Sequence, residues 1–493
     1  MKLNIKNFKD TIWEGLSFIF IFLVSLYKPF DSDLGWHLKY GEYFFQHLAP
    51  LRVNTFSTEM PGFPWINSSW GTDLISYLAY HYFGFVGLSV LAAGVISLTL
   101  WFFAKAFKMD FFAKALTFPI ILYFLYPINI VSFRGQLLSL MFLGVLLFLT
   151  RLFLDSGSKK FFLLIPALFM VWSNVHGEFL LGLGILAVWS ASVVALKLWD
   201  KRFRLDKEVI LLVRNLAIIG VLSALAIMIN PFGLSVYFEA FKHFGNPLQQ
   251  YIAEWLPFEE LSGYWWSQMI VGIVIFTGII FMVFSNQFKK NFPYIIIVSI
   301  FFMLTFFVRR YAWPMYYLSI PFIAAVVVIL KPESKKYSRI FGTVFLVIAL
   351  STVFVLDNPF NRIKNMSWKN YCNSVVNCSP AALDFMVRQN YKGKIYTFYD
   401  WGGWMIWNYP EVMPSVDGRM HLWRDETGYS AFEDYYVYEQ ADGNIDDSKY
   451  DVVLITTKKP LYIQLENLAA QKKWRKVYED KRAAVFVRSE NAN

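Results

Sequence analysis

Apolar runs long enough to cross a bilayer recur eleven times in this chain, and that leaves few folds open to it. A spanning helix needs about 20 mostly apolar residues. Such runs fall near 12–29, 84–103, 113–131, 135–152, 161–174, 179–197, 209–229, 268–286, 292–308, 313–331 and 338–356. In lipid a chain must satisfy its own backbone polar groups, which helices do. The composition agrees: 56% of the 493 residues are hydrophobic, 19% aromatic and only 17% charged. The expectation is a polytopic α-helical membrane protein with about eleven transmembrane helices.

Lysine and arginine assign the two sides. With the N-terminus inside, the inner segments 1–11, 104–115, 151–160, 197–208, 286–291 and 331–340 hold twenty of them. The outer segments 28–71, 127–136, 174–178, 230–267 and 309–312 hold seven over a longer stretch. Lys2, Lys6 and Lys9 precede the first run, and Tyr27-Lys-Pro-Phe30 follows it rather than a small-residue cleavage site. This pattern predicts an uncleaved signal anchor with a cytoplasmic N-terminus. An odd number of spans then places residues 357–493 outside the cytoplasm. The net charge of +10 lies mostly in short loops, where it fixes topology, so nucleic acid is not an expected partner.

The division expected is a transmembrane domain over 1–356 and an extracytoplasmic α/β domain over 357–493. In the second, strands are predicted at 394–399, 411–416 and 451–456, and helices at 380–390, 428–440 and 459–471. A closing hairpin is predicted from 474–478 and 483–487. The only cysteines, Cys372 and Cys378, lie here. Outside the cytoplasm they are candidates for a disulfide closing a small loop; two free thiols is the alternative. No internal repeat is visible.

The first outer loop, about 30–71, is long. Trp36, Tyr40, Tyr43, Phe44, His47 and Leu48 recur at three and four, opposite Lys39, Glu42 and Gln46. That spacing predicts an amphipathic helix lying in the membrane interface. A second such helix is predicted at 72–83, before Gly84.

Polar residues sort by side. The inner loops hold little beyond Lys, Arg and their neighbours. The outer ends hold Asp31-Ser-Asp33-Leu-Gly-Trp36-His37, Trp65-Ile-Asn67-Ser-Ser-Trp70, Arg134-Gly-Gln136, Asn174-Val-His176-Gly-Glu178, Asn230-Pro-Phe-Gly233, Glu254-Trp255 and Arg309-Arg310. Ionisable groups at membrane depth are costly and tend to mark function. Asp31 and Asp33 have three roles open: general base toward a hydroxyl, oxygen ligands of a divalent cation such as Mg or Mn, or solvated flanks of the first helix. Nucleotides are cytoplasmic, so a lipid-linked phosphate is the natural outer-face donor. Arg134, Arg309 and Arg310 can meet phosphate oxygens bidentately, or else snorkel at the interface. His37 and His176 are candidates for phosphate binding or for structural hydrogen bonds. The histidines show no zinc-site spacing. In the tail, Asp400, Asp417 and Arg419 are candidates for a sugar-binding edge, with Trp401 or Trp404 stacking on it; the alternative is a turn held by an Asp–Arg pair.

Asp31-x-Asp33-Leu-x-Trp36-His37-Leu-x-x-Gly41-Glu42, Arg134-x-Gln136-Leu, Asn174-x-His176-Gly, Asn230-Pro-x-Gly233, Tyr399-Asp400-Trp401-Gly-Gly403 and Val416-Asp417-Gly418-Arg419 occur in this order in a large group of bacterial multi-spanning proteins. That group is similar to the GT-C superfamily of glycosyltransferases, which includes protein O-mannosyltransferases and lipid A aminoarabinose transferases. The resemblance covers nearly the whole chain. It implies a multi-pass protein of the plasma (inner) membrane that takes a sugar from a polyprenyl-phosphate carrier with inversion. It also implies an acidic catalytic residue just after the first helix, at Asp31 or Asp33, and two interfacial helices after that.

The function expected is an inverting glycosyltransferase acting on an extracytoplasmic glycan, lipid or protein hydroxyl. Asp33 or Asp31 is the expected base. Arg309, Arg310, Arg134, His37 and His176 are the expected donor-phosphate residues. Glu178, Trp70, Asp400, Trp401, Asp417 and Arg419 are candidate acceptor or sugar contacts. Two other classes stay open: a non-catalytic member of the fold that binds lipid-linked glycan or acts as an assembly scaffold, and a transporter. Transporters favour repeats and mid-span charges, neither of which is visible here.

Overall fold

In the computed structural model, residues 5–489 are described except 132, 244, 260, 261, 365, 392 and 393, with backbone alone for 5–12, 14 and 247. Lys2, part of the expected signal anchor, lies outside the described residues, as do the side chains of Lys6 and Lys9. The described chain divides into two compact units. One comprises residues 1–28, 88–240 and 250–364; the other comprises 29–87, 241–249 and 365–493.

The first unit is helical. Helices occupy all the predicted span positions: Ile5–Val24, Trp70–Ala106, Phe111–Phe124, Gly135–Ser156, Phe161–Ser173, Phe179–Asp200, Lys207–Ile227, Gly263–Phe284, Phe288–Leu304, Ala312–Val327 and Lys335–Leu356. Seven of the described helices are long and apolar enough to cross a membrane. Phe111–Phe124 and Phe161–Ser173 fall short, at 14 and 13 residues. At 1.5 Å per residue each reaches only about 20 Å of a roughly 30 Å hydrocarbon layer. The predicted span 113–131 is cut at Leu125, and Tyr126–Asn129 forms a separate turn with Pro127 near its start. Glycine permits a close helix pairing in this unit. A Cβ on Gly278 of Gly263–Phe284 would meet Phe322 of Ala312–Val327 at 2.8 Å, the close approach that glycine permits between apolar helices.

The helix Trp70–Ala106 runs from the second unit into the first and is broken at Gly84, where φ is 60° and ψ is −153°. Only glycine takes that conformation without strain. The break leaves 70–83 as a separate helical stretch in the second unit, where a helix is predicted at 72–83.

A four-stranded sheet organises the rest of the second unit, with β1 Ile395–Thr397, β2 Val452–Thr456, β3 Trp474–Glu479 and β4 Ala483–Arg488 in the order β1-β2-β4-β3. β1 and β2 are parallel, with Tyr396 opposite Val453. The β2–β4 and β4–β3 pairs are antiparallel, with Val453 opposite Phe486. β1 and β2 are buried along their whole length, as is most of β4, so the sheet centre is covered on both faces. Helices Pro380–Gln389, Ala431–Glu439 and Pro460–Ala470 match the predicted ones within three residues. Ser379 and Ser430 cap the first two by accepting from Ala382 and Glu433 amides.

The strand predicted at 411–416 is absent. Ser415 and Thr397 instead exchange side-chain bonds, each backbone N–H donating to the other's hydroxyl. The carbonyls of Pro414 and Ser415 accept from Thr58 and Glu59 of the first long loop. The segment's backbone groups are thus satisfied without a ladder.

Candidate functional site

Asp31 and Asp33 sit in the second unit, at the start of the helix Leu34–His47. Asp33 is the residue before its first turn, and its side chain makes no capping bond to the helix amides. Its own N–H donates to Asp31 Oδ1 at 3.0 Å. The Tyr371 hydroxyl brackets Asp31, accepting from its N–H at 3.0 Å and donating to its carbonyl. Cys372, the next residue, is joined to Cys378 by a disulfide.

The tail lies directly against this acidic segment. A Cβ on Gly403 would stand 3.0 Å from Asp33 Cα, and a Cβ on Gly418 would overlap the Asp33 carboxylate. The Gly402-Gly403 and Asp417-Gly418-Arg419 motifs therefore supply the bare backbone on which Asp33 rests. The helix Leu34–His47 packs on the short helix Gly402–Asn408. That contact corrects the expected lipid-facing stripe. Trp36 and Tyr40 are buried in protein, while Leu48, at the far end of the helix, is 82% exposed.

Arg419 and Asp417 form a buried ion pair. Nε and Nη2 of Arg419 donate at 2.6 Å to the two oxygens of Asp417. Nη2 also reaches Asn54 Oδ1 and Ser57 Oγ. The guanidinium lies over Trp65, Phe56 and Trp423 at 4.7, 5.0 and 5.4 Å from the ring centroids. Both residues are enclosed, as the turn-and-ion-pair alternative expects. Trp401 and Trp404 are 1% and 2% exposed. A ring so enclosed has no face open for stacking on a sugar, so their visible role is in the core. Asp400 beside them is exposed, and Trp70 is half-buried against Phe44, with ring centroids 4.7 Å apart.

One turn after Asp33, His37 Nδ1 lies 2.6 Å from Asp73 Oδ1. Asn67 Nδ2 donates to Asp73 Oδ2 at 2.7 Å. Asp73 is fully buried. It went unnoticed in sequence because it lies 36 residues from His37; the available signal was a carboxylate within an otherwise apolar helical run.

The first unit holds its own polar cluster. Arg310 donates through Nε and Nη2 to Glu178 Oε1 at 3.2 and 3.1 Å, and through Nη1 to Glu254 at 2.7 Å. The Gln136 amide, turned with its oxygen toward Arg310, accepts at 3.1 and 3.3 Å. Trp255 lies under the guanidinium at 5.3 Å. His176 Nδ1 meets Ser139 Oγ at 2.8 Å and lies 3.6 Å from Glu178. Burial alone would raise the Glu178 carboxyl, but His176 and Arg310 outweigh it and hold it at about 2. Arg134 is near enough to act electrostatically on Arg310. Arg309 donates through Nε to the Pro257 carbonyl at 2.8 Å, and among the described residues no carboxylate pairs with it. Asn174 ties this cluster to the end of Lys207–Ile227 by donating to the Ile229 carbonyl at 2.9 Å.

Thus 31–37, 65–70, 400–404 and 417–419 come together in one unit. Residues 134–136, 174–178, 254–258 and 309–310 come together in the other. Among the described residues no three His, Cys, Asp or Glu side chains are grouped to hold a metal ion. A divalent cation on Asp31 and Asp33 would draw its other ligands from water or substrate oxygens, as Mg commonly does.

No family model matches the chain, and no curated protein sequence matches it. Solved structures do resemble it. The archaeal oligosaccharyltransferase AglB from Archaeoglobus fulgidus, in complex with an inhibitory peptide and a dolichol-phosphate, matches with TM-score 0.56 and 11% identity over 91% of this chain and 70% of that one. The apo form of the Archaeoglobus fulgidus oligosaccharyltransferase gives TM-score 0.56 and 12% identity over the same shares. ArnT from Cupriavidus metallidurans in the apo state gives 0.49 and 12% over 98% of each chain. The polytopic helical unit, the small sheet and the match to the oligosaccharyltransferases together show that this chain shares the fold of those membrane proteins.

Proposed function

We propose that this chain is an inverting glycosyltransferase that moves a sugar from a polyprenyl-phosphate donor to an extracytoplasmic hydroxyl of a glycan, lipid or protein. The observation that carries the reading is the placement of Asp33, a carboxylate unused as a helix cap and seated on the backbone of Gly418. In this reading Asp33 takes the proton of the acceptor hydroxyl as that oxygen attacks the anomeric carbon. The bond to the donor phosphate breaks on the opposite face, and the phosphate leaves with the electron pair. A base so placed contributes about a hundred- to ten-thousandfold. Asp31, bracketed by Tyr371, holds the Asp33 N–H and is the alternative base.

Arg309 is the first candidate for the departing phosphate because no described carboxylate pairs with it. Arg310, Arg134 and His176 are assigned in support. The membrane is proposed to be the plasma (inner) membrane, with the N-terminus cytoplasmic and residues 357–493 outside. Support for a lipid-linked donor comes from the AglB structure, which holds a dolichol-phosphate and a peptide.

The test is incubation of the purified full chain in nanodiscs with undecaprenyl-phosphate sugars and a mixed panel of acceptors. Transfer with inverted configuration is expected. A second reading, a non-catalytic protein that binds lipid-linked glycan, draws on Arg310, whose guanidinium already meets two carboxylates. Donor binding without consumption by any acceptor would favour it.

A further inference from the structure

Trp36 and His37 are adjacent on the helix Leu34–His47, with rings stacked at 3.6 Å between centroids. Each is 8% exposed. The Asp73 carboxylate accepts from Asn67 on one oxygen and faces His37 Nδ1 with the other. Nδ1 is therefore the nitrogen that carries the proton. In the tautomer with its proton on Nδ1, the ring presents a lone pair at Nε2. Among the described residues Nε2 has no hydrogen-bond partner, and neither does the N–H donor Trp36 Nε1. Buried polar atoms left in this way call for an explanation in function or in a bound group.

The two atoms are complementary: one accepts and one donates. A hydroxyl does both, donating its proton to Nε2 and accepting from Nε1 through its oxygen. A phosphate oxygen has no proton to give and would meet that lone pair unfavourably, so this tautomer favours a hydroxyl over the phosphate expected from sequence. Trp65 stands edge-on to Trp36 at 5.9 Å and closes that side of the pair.

We propose that Trp36 Nε1 and His37 Nε2 form a subsite for one hydroxyl of the substrate sugar, with Asp73 and Asn67 as positioning residues that fix the histidine tautomer. The proposal rests on the transferase reading. His37 follows Asp33 by one helical turn, on the same face, so the subsite reads a hydroxyl near the reacting carbon. Both nitrogens are covered in this conformation, and filling the subsite displaces the atoms over them.

The experiment uses the full chain in nanodiscs with undecaprenyl-phosphate-linked glucose, galactose, mannose and arabinose, then the monodeoxy analogues of whichever sugar is transferred best. One analogue is expected to lose about 10,000-fold or more in kcat/KM, the scale on which a site built to hydrogen-bond a hydroxyl rejects its absence. His37→Phe and Trp36→Phe should lose activity on the parent sugar yet no longer distinguish that analogue. Asp73→Asn should weaken the discrimination and Asp73→Glu should restore part of it, which a merely structural role would not do. Equal loss on every analogue, or discrimination kept by both Phe variants, overturns the subsite. Absence of transfer from all four sugars overturns the transferase reading and, with it, the subsite. The positioning role is then read separately by nitrogen-15 NMR of labelled histidine. A neutral Nδ1–H tautomer that disappears in Asp73→Asn supports it; an Nε2–H tautomer at His37 overturns it.

Discussion

The Asp33 carboxylate occupies the space that a side chain on residue 418 would need. Two motifs nearly 400 residues apart in sequence are therefore one structural object. A methyl group at 418 tests this directly. Gly418→Ala should destabilise the protein by about 1–3 kcal/mol, the usual range for forcing atoms into a packed site. It should also lower transfer at least roughly tenfold by displacing a positioned base. Gly94→Ala, where a Cβ meets nothing within 4 Å, should leave both unchanged. Thermal unfolding and initial rates of the two variants give the comparison, and equal behaviour would remove Gly418 from the site.

Asp33→Asn keeps the shape of the side chain and removes its basicity. Transfer should fall by about a hundred- to ten-thousandfold while the melting temperature stays near wild type. Asp31→Asn should be milder, because the Asp33 N–H can still donate to an amide oxygen at that position. Undiminished turnover in both variants would sink the assignment of this pair.

Acid should weaken the helical unit through Glu178. Its carboxyl is held at about 2 in the folded chain against an ordinary 4.5. A group whose folded value is depressed contributes stability that is fully present above its unfolded value. That contribution is lost as pH falls from about 4.5 toward 2. Melting temperature followed across this window should drop in the wild type, and Glu178→Gln should flatten that part of the curve. A Gln variant with the same acid slope would argue against the His176–Glu178–Arg310 grouping.

Removing Arg419 leaves a fully buried Asp417 without its cation. Arg419→Met should cost about 3–5 kcal/mol, the range for breaking one side of a buried pair. The double variant Asp417→Asn with Arg419→Met should recover part of that loss. Denaturant unfolding of the two variants measures the difference, and additive losses would mean that the pair is not coupled.

Much of the fold was legible because its signals are local. Apolar runs marked every spanning helix position, and turn residues marked most of the tail. The run expected at 113–131 proved shorter, since its helix ends at Phe124; Phe161–Ser173 keeps the length expected for it, which falls short of a full span. The predicted strand at 411–416 failed because Ser415 and Thr397 pair through their hydroxyls, which no alternation of apolar residues reveals. The acidic pair was visible as a motif, and so were the two glycine-containing tail motifs. Their meeting was not, because close backbone approach leaves only the absence of a side chain as its trace. Asp73 was hidden for the same reason of distance. The interface stripe on Leu34–His47 was read correctly as apolar but assigned to lipid, whereas a helix from the tail covers its first half.

The bond between Tyr371 and Asp31 spans 340 residues, and it sets a timetable. At synthesis rates of about 5–20 residues per second, the acidic segment waits roughly 17–70 s for its partner to be made. Contacts so far apart in sequence form late, after the loop-closure entropy has been met. Until then Asp31 and Asp33 hang from a finished first helix with no tail beneath them. The nascent chain is thus expected to hold Asp31 and Asp33 without their tail contacts through most of its insertion, and to assemble this segment only once residues 371–418 have emerged.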